Sequence, residues 1–198
     1  MRFLFLVALL VAAPLAQAQA SFGLKGGLNT TFFSGASSEG TEPALGAVGG
    51  ATLRFDANPG FGIGAEALYS QKGARDEVFD ETLRVDYLEI PVYARLALPA
   101  SPTLDAGLQL GGYVGIPLRA RSVEEDFDLD ANTDYGAMVG FDVGSGPYYV
   151  EGRYSLGLAQ VSDDPEFIQD LPVGDLDLKN QAVSLTFGVR FGGGGYGY

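Results

Sequence analysis

The sequence predicts an all-β fold, an eight-stranded antiparallel up-and-down transmembrane β-barrel. Three observations lead to this prediction. Apolar residues recur at every second position in segments of roughly ten residues, which is the period of a strand with two different faces. The segments are connected alternately by short turns and by long polar loops, and one face of each segment carries almost no charge. Most of the 198-residue chain is therefore expected to form one barrel.

A targeting segment precedes the first strand. Arg2 supplies a short positive region, Phe3 to Ala13 form an unbroken apolar stretch, and small residues follow up to Ala20. This pattern is typical of a secretory signal peptide, and it is too short for a helix that spans a bilayer. We therefore expect residues 1–20 to be removed on export, with Ala18 as the alternative cleavage point.

Eight strands are predicted after this leader. They are Phe22 to Phe32, Ala44 to Phe55, Phe61 to Gly73, Thr82 to Leu98, Thr103 to Leu118, Asp134 to Gly144, Pro147 to Leu158, and Asn180 to Phe191. The short turns are Asp56 to Gly60, Pro99 to Pro102, and Ser145 with Gly146. The long loops are Phe33 to Pro43, Ala74 to Glu81, Arg119 to Thr133, and Ala159 to Lys179. We expect a barrel at 21–191 with both termini and all short turns on the periplasmic side, followed by a Gly/Tyr-rich tail at 192–198.

The distribution of charge between the two faces predicts which face contacts lipid. If the apolar face points outward, the glycines and charges of the other face occupy the narrow interior. The alternative is a soluble barrel with the apolar face inward, which would leave isolated charges in water. Aromatic residues near both strand ends favour lipid, because such residues concentrate at the membrane interfaces. They are Phe22, Phe55, Phe61, Tyr148 and Phe191 at one end, and Phe32, Tyr69 and Tyr135 at the other.

The polar face of the strands carries charges of both signs. The predicted lumenal residues are Lys25, Arg54, Glu66, Lys72, Glu89, Arg95, Asp105, Asp142, Glu151, Arg153 and Arg190. Because an eight-stranded barrel is only wide enough to be filled by side chains, we expect these groups to form a hydrogen-bonded ion network without a continuous water channel. Two alternatives remain, a narrow channel lined by these charges and catalysis by carboxylates among Glu66, Glu89 and Glu151.

Two absent residue types restrict the chemistry. The chain has no His and no Cys, which excludes imidazole bases, thiolate nucleophiles, haem ligation by His or Cys, and Cys/His zinc sites. We therefore predict a non-enzymatic protein without a cofactor. A formal net charge of −13 argues against nucleic acid as a partner, because domains that bind nucleic acid concentrate Lys and Arg.

Most of the carboxylates lie in the predicted long loops, on the cell exterior. The acidic loop with Asp126, Asp128 and Asp130 begins like a calcium-binding loop, but Ala131 and Ala137 stand where an EF-hand needs Gly and a bidentate Glu. We interpret this segment as a solvated strand extension. Weak binding of divalent cations, or of envelope proteins, to the loops stays open as an alternative.

One segment of the predicted fourth strand, Tyr87-Leu88-Glu89-Ile90-Pro91, resembles the Tyr-Leu-Glu-Ile-Pro segment of the PorT-like outer-membrane β-barrel family, often labelled "porin family protein". Supporting matches are Gly23 to Asn29, Glu66 to Gly73, Glu151 to Ser155, and Gly188 to Phe191. The resemblance implies an eight-stranded barrel in the outer membrane of a Gram-negative-type cell, and it implies no reaction. In such a sheet, Pro91 is expected at an edge-like or bulged position.

The end of the chain bears on assembly and on function. Outer-membrane strands commonly end on an aromatic residue that the barrel-insertion machinery reads, and either Phe191 or Tyr198 fits this role. We expect this machinery and outer-membrane lipid as partners. The predicted function is a non-enzymatic outer-membrane barrel that serves envelope structure or surface interaction. A porin-like channel for small solutes and an accessory component of a secretion apparatus are the alternatives.

Overall fold

The computed structural model describes residues 19–34, 41–58, 60–76, 82–101, 103–122, 132–160 and 179–192. Within these ranges, eight antiparallel strands form one closed barrel, in which β1 pairs with both β2 and β8. The strands are β1 (Gln19–Ser34), β2 (Thr41–Asn58), β3 (Phe61–Asp76), β4 (Thr82–Ser101), β5 (Leu104–Ser122), β6 (Asp134–Ser145), β7 (Tyr148–Gln160) and β8 (Lys179–Gly192). The predicted fold class is confirmed.

Short and long connections alternate around the barrel, as predicted. The connections 59–60, 102–103 and 146–147 separate their strands by two residues each, and those at 35–40, 77–81, 123–133 and 161–178 are longer. Following the usual arrangement in outer membranes, we call the end with the short connections the periplasmic end and the other the extracellular end. In the described ranges, no helix is long and apolar enough to cross a membrane.

At the extracellular end, the strands run further than predicted. β2 begins at Thr41, β3 reaches Asp76 and β5 reaches Ser122, all within segments expected to be loops. The apolar alternation that located the strands stops where the lipid stops. Backbone N–H and C=O groups continue to pair beyond that level, because strands that are already aligned in the membrane extend the same ladder without any apolar alternation of their side chains.

At the periplasmic end, the predicted turn from Pro99 to Pro102 is too long. β4 continues through Pro99 to Ser101, which pairs with Leu104 of β5. A register shift between Leu98 and Ser101 accommodates the proline, which has no N–H to donate to the ladder.

The first strand begins at Gln19, two residues before the predicted start of the barrel. The last two residues of the predicted leader therefore pair with β2. The pairs Gln19–Asp56 and Ala20–Phe55 remain in the mature protein only if the leader is cleaved after Ala18 rather than after Ala20. Residues 1–18 and 193–198, which include most of the leader and of the tail, lie outside the described ranges.

Pro91 does not occupy the edge-like or bulged position expected of it. It lies well inside β4, is fully buried, and pairs with Tyr113 of β5. The register between β3 and β4 is unshifted across it, since a proline removes one N–H donor from a ladder without requiring an extra residue. The shift in this part of the β4–β5 pair lies instead between Asp86 and Tyr87, next to Pro117.

Large apolar side chains cover the outside of the barrel. Leu110 on β5 is 70% exposed, which is favourable in lipid and unfavourable in water. The exposed rings of Phe22 and Phe191 lie 5.6 Å apart at the periplasmic end, and Tyr69 and Tyr135 are exposed towards the extracellular end. Such positions are typical of the aromatic belts at the two membrane interfaces. The soluble alternative, with the apolar face inward, does not fit this surface.

Candidate functional site

The candidate site is the barrel interior. Each of the eleven residues predicted for the lumen forms an ion pair with another charged side chain. Along the barrel they form a periplasmic group, a central group and an extracellular group. Two carboxylates that sequence reasoning did not include, Asp56 and Asp134, also form pairs in these groups.

The periplasmic group is centred on Arg95. Its Nε and Nη2 donate to the two carboxylate oxygens of Asp142, at 2.9 and 2.7 Å, which is the bidentate geometry of a strong charge-assisted pair. Arg95 Nη2 also lies 3.0 Å from Asp105 Oδ1. The other oxygen of Asp105 lies 3.3 Å from Arg190 and 3.6 Å from Arg54. Arg54 also pairs with Asp56, at 2.9 Å, so three arginines meet three carboxylates at this end of the lumen.

The central group is a closed ring of two cations and two anions. Lys25 Nζ lies 2.8 Å from both Glu66 and Glu151. Arg153 also contacts both carboxylates, at 2.8 Å to Glu66 and 2.9 Å to Glu151. None of the four side chains is more than 3% exposed, so the pairs are little screened by solvent.

Gln109 connects the central group to the periplasmic group. Its Nε2 donates to Asp142 and to Glu151, both at 3.0 Å, and its Oε1 accepts from Arg153 at 3.2 Å. Gln109 alternates with Leu108 and Leu110 in the sequence, which is consistent with the polar face of β5, but the ion network predicted from the sequence does not include it. The sequence offers no signal for this role, because a glutamine that bridges two charged groups looks the same as any other polar residue of the strand.

The extracellular group contains Lys72, whose Nζ lies 2.8 Å from Glu89 and 3.0 Å from Asp134. The same ammonium lies 4.4 Å from the ring centroid of Tyr113 and 5.5 Å from that of Tyr87, which is within cation–π range. Tyr113 Oη also donates to Asp134 at 3.2 Å. Two carboxylates and two aromatic rings thus surround one buried cation.

Two buried tyrosines of the lumen, Tyr93 and Tyr149, each pair with a glycine on both neighbouring strands. Tyr93 is paired with Gly64 on β3 and Gly111 on β5. Tyr149 is paired likewise with Gly144 and Gly188. The ring of Tyr93 lies over Gly64 and the ring of Tyr149 lies over Gly188, where an added Cβ would overlap ring atoms. Sequence reasoning predicted glycines inside the barrel, but it could not pair them with tyrosines without the cross-strand register.

This packing predicts a position-specific effect of a methyl group. A Cβ at position 64 would overlap the ring of Tyr93, whose Oη donates to Glu66 at 3.1 Å. We expect Gly64→Ala to lower the free energy of unfolding by about 1–3 kcal/mol, because the ring must move. Gly152→Ala is the matched control, since nothing lies within 4 Å of its Cβ. Urea titration in lipid vesicles measures both, and equal effects would contradict the prediction.

One small cavity is described in the lumen. A lumenal cavity of about 10 Å³, lined among others by Lys25, Lys72, Glu89 and Arg153, is described at the level between the central and extracellular groups. That volume suffices for about one water molecule.

The three glutamates considered for catalysis do not form one cluster. Glu66 and Glu151 share the same two cations, whereas Glu89 belongs to the extracellular group with Lys72. In the part of the chain that the structure describes, no cluster of three or more His, Cys, Asp or Glu residues could hold a metal ion. The predicted acidic loop, with Asp126, Asp128 and Asp130, lies outside the described residues.

A closed eight-stranded barrel with an apolar exterior and a charged interior is a transmembrane β-barrel. The family model described as outer membrane protein beta-barrel domain matches residues 15–163. The chain therefore belongs to the outer-membrane β-barrel family and is an outer-membrane protein. No curated protein is similar enough in sequence to count as a relative.

Three solved structures are similar to this chain to different degrees. Neisserial surface protein A (NspA) is 15% identical, with a TM-score of 0.52 over 86% of this chain and 97% of its own. OprG from Pseudomonas aeruginosa is 15% identical, with a TM-score of 0.46 over 88% and 97%. The attachment invasion locus protein Ail of Yersinia pestis is 12% identical, with a TM-score of 0.45 over 88% and 99%. At these identities, the likeness to NspA concerns the fold alone.

Proposed function

We propose that this protein is a non-enzymatic barrel whose lumen is plugged by its ion network, and that it serves envelope structure and surface interaction rather than solute passage. The observation that carries the proposal is the central ring of Lys25, Glu66, Glu151 and Arg153, which crosses the middle of the bore. A passing ion would have to separate these pairs, and separating buried pairs is costly.

The same contacts are the reason that we do not propose acid–base catalysis by these glutamates. A general acid or base has to reach a substrate. Glu66 and Glu151 each contact two cations and are at most 2% exposed. Both carboxylates are therefore engaged in holding the barrel interior together.

Membership of the PorT-like group is a further part of the proposal. The segments that carry the resemblance supply side chains that meet inside the barrel. Glu89 of the Tyr87–Pro91 segment pairs with Lys72, and Lys25 near the start of the chain pairs with Glu66 and Glu151. This convergence supports the view that the shared motifs encode the ion network.

The assembly and surface roles are proposed as well. We propose that a signal peptide directs export, that the insertion machinery and outer-membrane lipid are the partners during assembly, and that the acidic loops contact cations or envelope proteins. The N-terminus of the mature protein, determined by mass spectrometry, tests the export step. The pairing of Gln19 in β1 favours a mature chain that starts at Gln19.

Planar-bilayer recording tests the plugged lumen. We expect the folded protein to show no steady conductance. The matched variant carries Glu66→Ala together with Arg153→Ala, which removes one charge of each sign and two large side chains from the central ring. This variant should conduct more than the parent protein. A steady, ion-selective open level in the parent would contradict the proposal and favour a narrow channel.

A further inference from the structure

The residues around the small lumenal cavity include several buried polar atoms without partners. In the described ranges, four side-chain atoms of the residues that line it have no hydrogen-bond partner in the chain, and they are Asn29 Oδ1, Glu89 Oε2, Arg153 Nε and Thr186 Oγ1. Glu89 Oε2 still forms an ion pair with Lys72, at 2.8 Å. The other three atoms require an explanation, because a buried polar atom without a partner is unfavourable.

The strand register places these three side chains next to one another on the inner wall. Ser184 of β8 pairs with Asn29 on β1 and with Arg153 on β7. Thr186 is two residues further along β8, so it shares the inner face with Ser184. Its partner on β1 is Gly27, which has no side chain. Three adjacent strands therefore bring the polar groups together beside a position that carries no side chain.

The three side chains are enclosed by protein, and their other polar groups are largely engaged. Asn29 is 2% exposed, Thr186 is 3% exposed and Arg153 is 5% exposed. Arg153 Nη1 donates to Glu66 at 2.8 Å, and Asn29 Nδ2 donates to Ser70 at 3.1 Å. The groups that remain are one N–H donor, one carbonyl acceptor, and one hydroxyl that can both donate and accept.

This combination selects a ligand that both donates and accepts hydrogen bonds. An anion cannot donate to Asn29 Oδ1. A cation would face three positive side chains, since Lys25, Lys72 and Arg153 all line the cavity. The volume of about 10 Å³ admits about one water molecule, and a buried water typically has two to four polar partners. Water fits both the size of the cavity and the chemistry of its wall.

We propose that the cavity binds one ordered water molecule, which accepts a hydrogen bond from Arg153 Nε, donates one to Asn29 Oδ1, and has Thr186 Oγ1 as its third partner. Arg153 belongs to the central group, and Lys72 of the extracellular group lines the same cavity. The water lies between these two groups, as Gln109 lies between the central and periplasmic groups. This inference rests on the proposed plug, because the water is retained only if the bore is closed.

A high-resolution crystal structure of the folded mature protein tests the proposal directly. We expect one peak of electron density in the cavity, within about 3.2 Å of both Arg153 Nε and Thr186 Oγ1. Crystals soaked in sodium bromide distinguish water from a halide, because bromide scatters anomalously and water does not. A cavity without a peak, or an anomalous bromide peak inside it, would overturn the proposal.

Thr186→Val gives a second measurement in lipid vesicles, because it keeps the shape of the side chain and removes the hydroxyl. If the hydroxyl bonds the water, its loss should lower the urea midpoint of unfolding by about 0.5 M. If the hydroxyl has no partner, the same substitution should raise the midpoint, since it removes a buried unsatisfied group. An unchanged or raised midpoint would therefore overturn the proposal.

Thr30→Val is the matched control. Thr30 lies on the outer face of β1, where it pairs with Leu45 and Val183, and both of these residues are exposed. We expect no decrease in the midpoint, because valine is favourable against lipid. An equal decrease in both variants would show a general effect of the substitution and would count against a water at Thr186. The gel shift between boiled and unboiled samples confirms that each variant is folded.

The planar-bilayer recording separates this inference from the proposed function. The absence of steady conductance together with a crystal structure without the water would leave the plug in place and reject the water site. A steady conductance of the parent protein would reject the plug, whatever the crystal structure shows in the cavity.

Discussion

Glu66→Ala is expected to lower the free energy of unfolding of the barrel by about 3–5 kcal/mol, the range for removal of one partner from a buried ion pair. Glu66 contacts both Lys25 and Arg153, and it accepts a hydrogen bond from Tyr93. Its removal leaves two buried cations facing the single carboxylate of Glu151. Urea titration in lipid vesicles, followed by the loss of the fast-migrating folded band on unboiled gels, measures the change.

Two variants bracket this result. Glu66→Gln retains the size of the side chain and some hydrogen bonds, so it should cost less than Glu66→Ala. Glu89→Ala should also cost less, because Lys72 keeps its contact with Asp134 at 3.0 Å. If Glu66→Ala left the unfolding midpoint unchanged, the central ring would not stabilise the barrel.

On the lipid face, Leu110→Arg is expected to lower the free energy of unfolding by about 2–4 kcal/mol, the range for an arginine at the bilayer midplane. Leu110 is 70% exposed and lies near the middle of the apolar run from Leu104 to Leu118 on β5. An arginine there faces hydrocarbon, far from headgroup phosphates and water. The same urea titration measures this effect.

Depth in the membrane supplies the control. Leu118→Arg makes the same substitution at the extracellular edge of the apolar run, where the cost should fall to about 0–1 kcal/mol. A large cost for Leu118→Arg together with a small cost for Leu110→Arg would mean that the membrane level has been misplaced along the strand. Equal, negligible costs would mean that this face does not contact lipid.

The strands and their faces were predictable because the alternation of apolar and polar residues is visible within each segment of the sequence. Alternation along one strand is enough to separate Leu110 from Gln109. It also identified eleven of the charged residues that form ion pairs in the described barrel, but it missed Asp56 and Asp134. Strand ends were less predictable, as at Ser122, because pairing outside the membrane leaves no apolar alternation. Pro91 was misjudged because a proline in a closed sheet removes one hydrogen bond without shifting the register.

The sequence could not predict which lumenal side chains contact each other. Arg153 and Glu66 are separated by 87 residues, and they meet because β7 and β3 face each other across a closed barrel. The roles of Asp134 and Gln109 depend on the same geometry, since each contacts side chains from other strands. Likewise, the fit of Tyr93 between two glycines depends on the register of three strands.

The sequence by itself therefore determined the number of strands, the order of short and long connections, and which side chains face lipid and which face the interior. The tertiary structure decided which charges pair and which tyrosines cover which glycines. The reason is physical. The side-chain period of a strand is a property of a single segment, whereas contacts across a lumen depend on the register and closure of all eight strands together.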